Sequence, residues 1–399
     1  MIDSRILWSL AGDIDGVDDV ARSGPPAYFD HHATTPVDPR VREAMLPFLG
    51  AFFGNAGSAE HPYGWRAQSA VEGARRDVAA LVGARPADVV FTSGATEANN
   101  LALLGAQTGA RRHLITTSIE HASVLACAAE YARRGGTVTY LPVDGDGLVH
   151  PDEVAAAIRP DTGLISMAFA NHEIGAIQPI QEIGVLAKRH DILLHVDAAQ
   201  AAGRIPISRA GLQADFISLS AHKIYGPQGV GALIVARDSR DRLAPILFGA
   251  GQERGLRPGT LPVPLIVGFG MAAALALRAL PEEPQRIAAL RELLLERLRV
   301  IPGLRIHGGL THRLAGNLNL GWPRLVARDL IYLLRNDVAI SSGSACGSGA
   351  LHPSPVLQAI GLTDAQALGA LRIGLGRFTT RQEVVGAARA IIRAAESPG

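Results

Sequence analysis

Residues 192–197, ILLHVD, and 216–223, FISLSAHK, decide the reading of this chain. Each is a short apolar run, of strand length rather than helix length, that ends abruptly in polar residues: Asp197 in the first, Ser220-Ala221-His222-Lys223 in the second. The same rhythm extends outward from about Val71 to Val235. VVFTS (89–93), HLITTS (113–118), TVTYLPV (137–143), LISMAFA (164–170) and VGALIV (230–235) alternate there with helix-like stretches. Such alternation predicts an α/β fold, with βα units building a mostly parallel central sheet. In an open sheet of this kind the carboxyl ends of the strands face the ligand crevice. The polar groups that close these runs should therefore converge: Ser93 to Glu97, Glu120-His121, Asn171-His172, Asp197 and Ser220 to Lys223.

After Gly259-Thr260-Leu261-Pro262 a long amphipathic stretch carries Leu290, Leu293, Leu294, Leu295 and Leu298 at helical spacing. It leads into apolar runs at 304–306, 317–322, 338–341 and 371–375, mixed with helical patterns at 326–335 and 381–395, which suggest a smaller α+β domain. The expected division is an N-terminal extension at 1–27, a large ligand-binding domain at 45–275, and a small domain made of 28–44 plus 276–399. A chain of 399 residues, 48% apolar, is too long for one small core and suits this arrangement. Lys+Arg 38 against Asp+Glu 37 leave no global field to attract nucleic acid or a membrane surface, so a small-molecule ligand is expected. Two cysteines, Cys127 and Cys346, exclude a disulfide framework and fit a reducing compartment, by default the cytoplasm. The segment Met1 to Ala27 is acidic and has no apolar run of signal-peptide or membrane-span length.

Individual residues then suggest a chemistry. Lys223 follows a buried-type strand, and a desolvated or imine-linked lysine nitrogen serves as nucleophile and base near neutral pH; a lone lysine at a loop edge is ordinarily a surface residue. Asp197, ending a buried strand, needs a cationic partner such as a protonated pyridine nitrogen, although it could also cap the helix that follows. Ser93-Gly94-Ala95-Thr96-Glu97 opens an alanine- and leucine-rich helix whose positive end can cradle a phosphate, and it is equally an ordinary capping pattern. His121 could lie flat on a pyridine ring or be a structural histidine. Arg372 offers a planar fork for a carboxylate, and on its own reads as a surface arginine. Cys346 lies in SSGSACGSGALHPSPVL, where nothing would bury a structural thiol, so it suits a mobile nucleophile. Cys127, among small apolar residues in ASVLACAAEYA, reads as a packing residue.

Taken together these stretches resemble the cysteine desulfurases of the class V aminotransferase group, in the branch with a long mobile cysteine loop. The resemblance runs from Tyr28 to about Ile392 through YFDHHATTPVDPRV, FGNAGSAEHPYGW, VVFTSGATEANNLA, EHASVL, HVDAAQAAG, SAHKIYGPQGVGAL, GQERGLRPGT, SSGSACGSGALHPSPVL and LRIGLGRFTT. It implies fold type I and pyridoxal 5'-phosphate as cofactor, bound covalently by Lys223. Asp197 would pair with the pyridine nitrogen, Gln200 would bond the ring oxygen, and His121 would stack on the ring. Ala95, Thr96, Ser220 and His222 match the phosphate-binding positions, while Thr260 matches a threonine that reaches the phosphate of the neighbouring subunit in a homodimer. Arg372 matches the arginine for the carboxylate of L-cysteine, and Cys346 the cysteine that takes the sulfur as a persulfide. The product would be L-alanine, and the sulfur would pass to an acceptor protein for iron–sulfur clusters or thio-modification. No metal site is expected.

The sequence departs from the family pattern at three places. The family's asparagine beside the ring falls on His172, with Asn171 one position early; an imidazole there titrates near pH 6.5 if unperturbed and would then bring charge beside the ring. The scaffold-binding C-terminal tail is expected to be missing, and the acidic leader has no counterpart. Two rival readings share much of the pattern: another class V enzyme, such as a selenocysteine lyase or a small-amino-acid aminotransferase, and a non-catalytic sulfur-acceptor or scaffold subunit.

Overall fold

A computed structural model describes residues 25–342 and 352–396. Its centre is a seven-stranded sheet: β1 (Val89–Thr92), β2 (His113–Thr117), β3 (Thr137–Leu141), β4 (Thr162–Ala168), β5 (Leu193–Asp197), β6 (Phe216–Ser220) and β7 (Gly231–Val235). The spatial order is β1-β7-β6-β5-β4-β2-β3. The pairs from β6 through β3 are parallel, and β7 runs antiparallel to both β1 and β6. Strands β1, β2, β5, β6 and β7 are buried at every residue, as expected where helices cover both faces.

Alternation along the strands divides the apolar side chains between two helical layers. One face of the sheet, with Phe91, Ile217 and Leu219, packs against the α1 (Pro39–Leu49), α2 (Pro62–Leu81) and α5 (Val263–Ala279) side of the molecule. The opposite face, with Val90, Phe216 and Leu233, packs on α3 (Ala95–Gly105) and α4 (Ala122–Arg133), where Cys127 is buried as a packing residue. Burial pushes the Cys127 thiol up to about 11, so it stays protonated and inert at neutral pH.

A second core gathers under a four-stranded antiparallel sheet, in the order β10-β11-β9-β8, made by β8 (Arg305–Ile306), β9 (Asn317–Gly321), β10 (Ser341–Ser342) and β11 (Leu371–Gly374). Helices α6 (Glu283–Leu298) and α7 (Arg381–Glu396) cover it with Leu290, Leu294, Leu298, Val384 and Ile391. The apolar run at 338–341 is divided: Val338–Ala339 pairs in parallel with Ala27–Tyr28, and only Ser341–Ser342 joins the four-stranded sheet. The segment at 28–44 bridges the two cores, because Phe29 packs in the second and Val41 in the first. On β11, Leu371 and Ile373 enter the second core, and so the intervening Arg372 points to the other side, toward the large sheet. Among the described residues no single helix is long and apolar enough to cross a membrane.

Candidate active site

The strand ends do converge. A cavity of about 570 Å³ is lined by Ala95 and Thr96 after β1, His121 after β2, His172 after β4, Asp197 and Gln200 at the end of β5, Ser220, His222 and Lys223 at the end of β6, and Arg372 from β11. Thr260 is exposed and is not among the lining residues. Cys346 lies outside the described residues.

Lys223 closes the short turn Ala221–Lys223 that follows β6. Its Nζ donates to the main-chain oxygens of His32 at 2.5 Å and Ala33 at 2.8 Å. Burial, reinforced by the Arg204 and Arg372 charges, pulls this amine down to about 7. A lysine so placed is partly neutral at physiological pH, which is what a nucleophilic amine requires.

Asp197 is buried and held on both oxygens: Oδ1 accepts from the Ala199 N–H at 3.0 Å, and Oδ2 from Asn99 Nδ2 at 2.8 Å. The carboxylate thus braces the turn that follows β5 and also lines the cavity. Asn99 ties it to Ser123 Oγ at 2.9 Å, which in turn contacts His121 Nδ1 at 2.8 Å. One polar chain therefore fixes the carboxylate and the imidazole relative to each other. Burial lowers the His121 pKa and favours a neutral ring.

The N-terminus of α3 carries no side-chain cap. Glu97 supports the turn differently, accepting from the Ser93 N–H at 2.7 Å and pairing with Arg257 at 2.9 Å. The first N–H groups of α3 consequently remain available to an anion at its positive end. Two glycines make this approach possible. Gly94 has φ 155, a backbone conformation that side chains rarely adopt, and a Cβ on Gly231 would come within 2.6 Å of Gly94 Cα.

His172 faces the cavity, while Asn171 does not. The Asn171 amide bonds the Ile119 carbonyl at 2.9 Å and its oxygen accepts from the N–H groups of Glu173 and Ile174, so it staples the turn after β4. The His172 ring meets the His121 ring edge to face at 5.3 Å. Burial, with the charges of its neighbours, drives the His172 pKa down to about 3, so it does not titrate near 6.5 and brings no charge at neutral pH. Arg372 spends only part of its guanidinium on the protein: Nη2 pairs with Asp30 at 3.0 Å, Nη1 reaches the His172 carbonyl at 3.4 Å, and Nε has no partner.

Several residues that shape the cavity went unread in the sequence. Asn99 sits one helical turn after Thr96, a polar residue in an otherwise apolar stretch, and its position was a usable signal. Asp30 and His32 belong to one turn and Arg204 to a segment far from it, and the contacts they make with Arg372 and with each other join distant parts of the chain. Among the described residues no group of three or more His, Cys, Asp or Glu side chains could hold a metal ion.

An anion-ready helix end, a fixed buried carboxylate and a low-pKa lysine lining one cavity suit a cofactor with a phosphate, a basic ring nitrogen and an aldehyde. They define a pyridoxal-phosphate enzyme of fold type I. The aminotransferase class V family matches residues 27–385, and the chain belongs to that family. It is 47% identical over 363 residues to the cysteine desulfurase IscS of Dechloromonas aromatica, covering 90% of this chain and 89% of that one. It is 45% identical over 363 residues to the human cysteine desulfurase, with 90% of this chain and 79% of the human protein covered. Among solved structures, a NifS-like protein superposes with a TM-score of 0.86 at 36% identity over 92% of this chain and 98% of its own. SspA in complex with cysteine superposes with a TM-score of 0.78 at 38% identity, covering 88% and 98%.

Proposed function

We propose that this chain is a pyridoxal-phosphate-dependent cysteine desulfurase, which converts L-cysteine to L-alanine and takes the sulfur as a persulfide on Cys346. The observation that carries the reading is Lys223 itself, a partly buried amine brought to about 7 in the same cavity as an anion-ready helix end and a fixed carboxylate. The similarity to named cysteine desulfurases at 45–47% identity supports the choice of substrate.

In this proposal Lys223 is the attachment point, and Asp197, kept in place by Asn99, holds a proton on the ring nitrogen. His121 would lie against the ring, Gln200 and His172 would serve its oxygen, and Ala95, Thr96, Ser220 and His222 would receive the phosphate. The bound cofactor supplies an electron sink for charge that develops on the substrate. Lys223 Nζ would move the proton at the substrate Cα, a task suited to its lowered pKa. The free part of the Arg372 fork orients the substrate carboxylate. Cys346 Sγ, as thiolate, then bonds the substrate sulfur; the carbon–sulfur bond breaks, its electron pair stays on carbon, and protonation there gives alanine.

The same proposal includes a homodimer, in which Thr260 reaches the phosphate of the partner's site. Leu46, Leu49, Phe53, Trp65 and Phe248 support it as large apolar side chains exposed on the single chain, Phe248 to 88%. It further includes transfer of the sulfur to an acceptor protein, for iron–sulfur clusters or thio-modification, in the cytoplasm. A selenocysteine lyase or small-amino-acid aminotransferase would have no use for Cys346.

The test is the visible absorption band of the purified protein. Borohydride should bleach it and fix the cofactor on the peptide containing Lys223, and Lys223→Ala should lack both the band and turnover of L-cysteine. Sulfide release by Lys223→Ala would overturn the assignment.

A further inference from the structure

His32 lies in the turn after the Ala27–Tyr28 strand and is buried, and it is among the residues that line the cavity with Lys223 and Arg372. The state of the ring follows from its neighbours. Arg204 Nη1 approaches His32 Nδ1 at 2.8 Å and Gln200 Oε1 at 2.7 Å. A guanidinium can only donate, so Nδ1 must accept. Its 3.2 Å contact with Gln200 Oε1 is then two acceptors sharing one donor. Burial among the Arg204 and Arg372 charges keeps the imidazole neutral, and the single ring proton therefore sits on Nε2. That N–H is buried and has no partner among the described residues. Buried donors are nearly always satisfied, so one left unpaired at a cavity wall points to a group supplied by a ligand.

The backbone of β11 indicates which group. Gly374 lies two residues beyond Arg372, on the same face of the strand. A Cβ at Gly374 would come within 2.8 Å of His32 Cδ2, the ring carbon bonded to Nε2. The glycine thus leaves room for the imidazole on the face that presents Arg372.

We propose that His32 is a second anchor for the α-carboxylate of the amino-acid substrate, its Nε2–H donating to one oxygen while Arg372 engages the carboxylate by its guanidinium. The proposal rests on the reading of Arg372 as the carboxylate-binding residue. Arg204 presets the donor by fixing the tautomer before substrate arrives, and the substrate meets an N–H that needs no reorientation.

The test compares wild-type holoenzyme with His32→Phe, which keeps a ring without the donor, and His32→Gln, which restores an N–H. Spectral titrations with L-alanine and with cysteamine, an amine lacking the carboxylate, read binding without turnover. His32→Phe should weaken L-alanine roughly tenfold to a hundredfold, the range for a hydrogen bond to a charged acceptor, and raise KM for L-cysteine in step. Cysteamine affinity should stay within about twofold, and His32→Gln should recover part of the loss. Equal losses for both amines, or none for either, would overturn the proposal. Should the phenylalanine variant lose its cofactor, His32→Ala is judged by the same comparison. Arg372→Lys separates the two readings: if L-alanine binding is indifferent to that substitution, the assignment of Arg372 fails, whereas an effect there with none at His32 refutes the second anchor alone.

Discussion

Replacing His172 by the family's asparagine should alter the acid limb of stability and leave the neutral-pH spectrum alone. Burial lowers the pKa of this imidazole from 6.5 to about 3. At pH 6 its protonated fraction is therefore 10^(3−6), about one part in a thousand, too small to influence a bound cofactor. Because the folded pKa is depressed, the neutral ring contributes its full stability above pH 6.5 and loses it as pH falls toward 3, where the unfolded chain binds the proton first. At pH 5, about 1.5 pH units below the unfolded value of 6.5, the wild type should have lost about 2 kcal/mol relative to His172→Asn, at about 1.36 kcal/mol per pH unit. Urea unfolding of both proteins at pH 7 and pH 5 measures this difference, and visible titrations from pH 6 to 9 should superimpose. A spectral midpoint between pH 5.5 and 7.5 in the wild type that the variant lacks would refute the reasoning, because it would mean that His172 carries its proton beside the ring.

Arg372→Lys keeps the charge but loses the planar fork, so KM for L-cysteine should rise by about tenfold or more while the cofactor band persists; unchanged steady-state kinetics would contradict the carboxylate role. Phe269 is fully buried on α5 and meets Phe91 edge to face at 6.5 Å, so Phe269→Ala should cost about 3–5 kcal/mol in urea unfolding. Cys127→Ala should leave sulfur transfer intact, as measured by alanine formation, because its buried thiol stays protonated.

The fold was legible because every apolar run between 89 and 235 ends in polar residues, a pattern that follows from burying a sheet under helices on both sides. Strand direction was not legible: VGALIV is equally apolar in either orientation, and only the short connection from Lys223 makes β7 antiparallel. At 171–172 the chain has already left β4, which ends at Ala168, and the Asn171 staple, a turn interaction, decides which side chain enters the cavity. The site was legible where a residue ends a strand, as at Asp197, His121 and Lys223. It was hidden where a partner comes from a distant segment, as with Asp30 at Arg372 or Arg204 at His32, because such pairings exist only after the two cores assemble.

In the proposed reaction sulfur leaves L-cysteine under the control of Lys223 and lands on Cys346. Mass spectrometry of the holoenzyme after exposure to L-cysteine without an acceptor tests it most directly, with alanine quantified in the same sample. The expected result is one added sulfur atom on the peptide containing Cys346, one alanine per persulfide, and neither in Lys223→Ala. Added sulfur on the Cys127 peptide, or alanine formed as readily by Cys346→Ser, would contradict it.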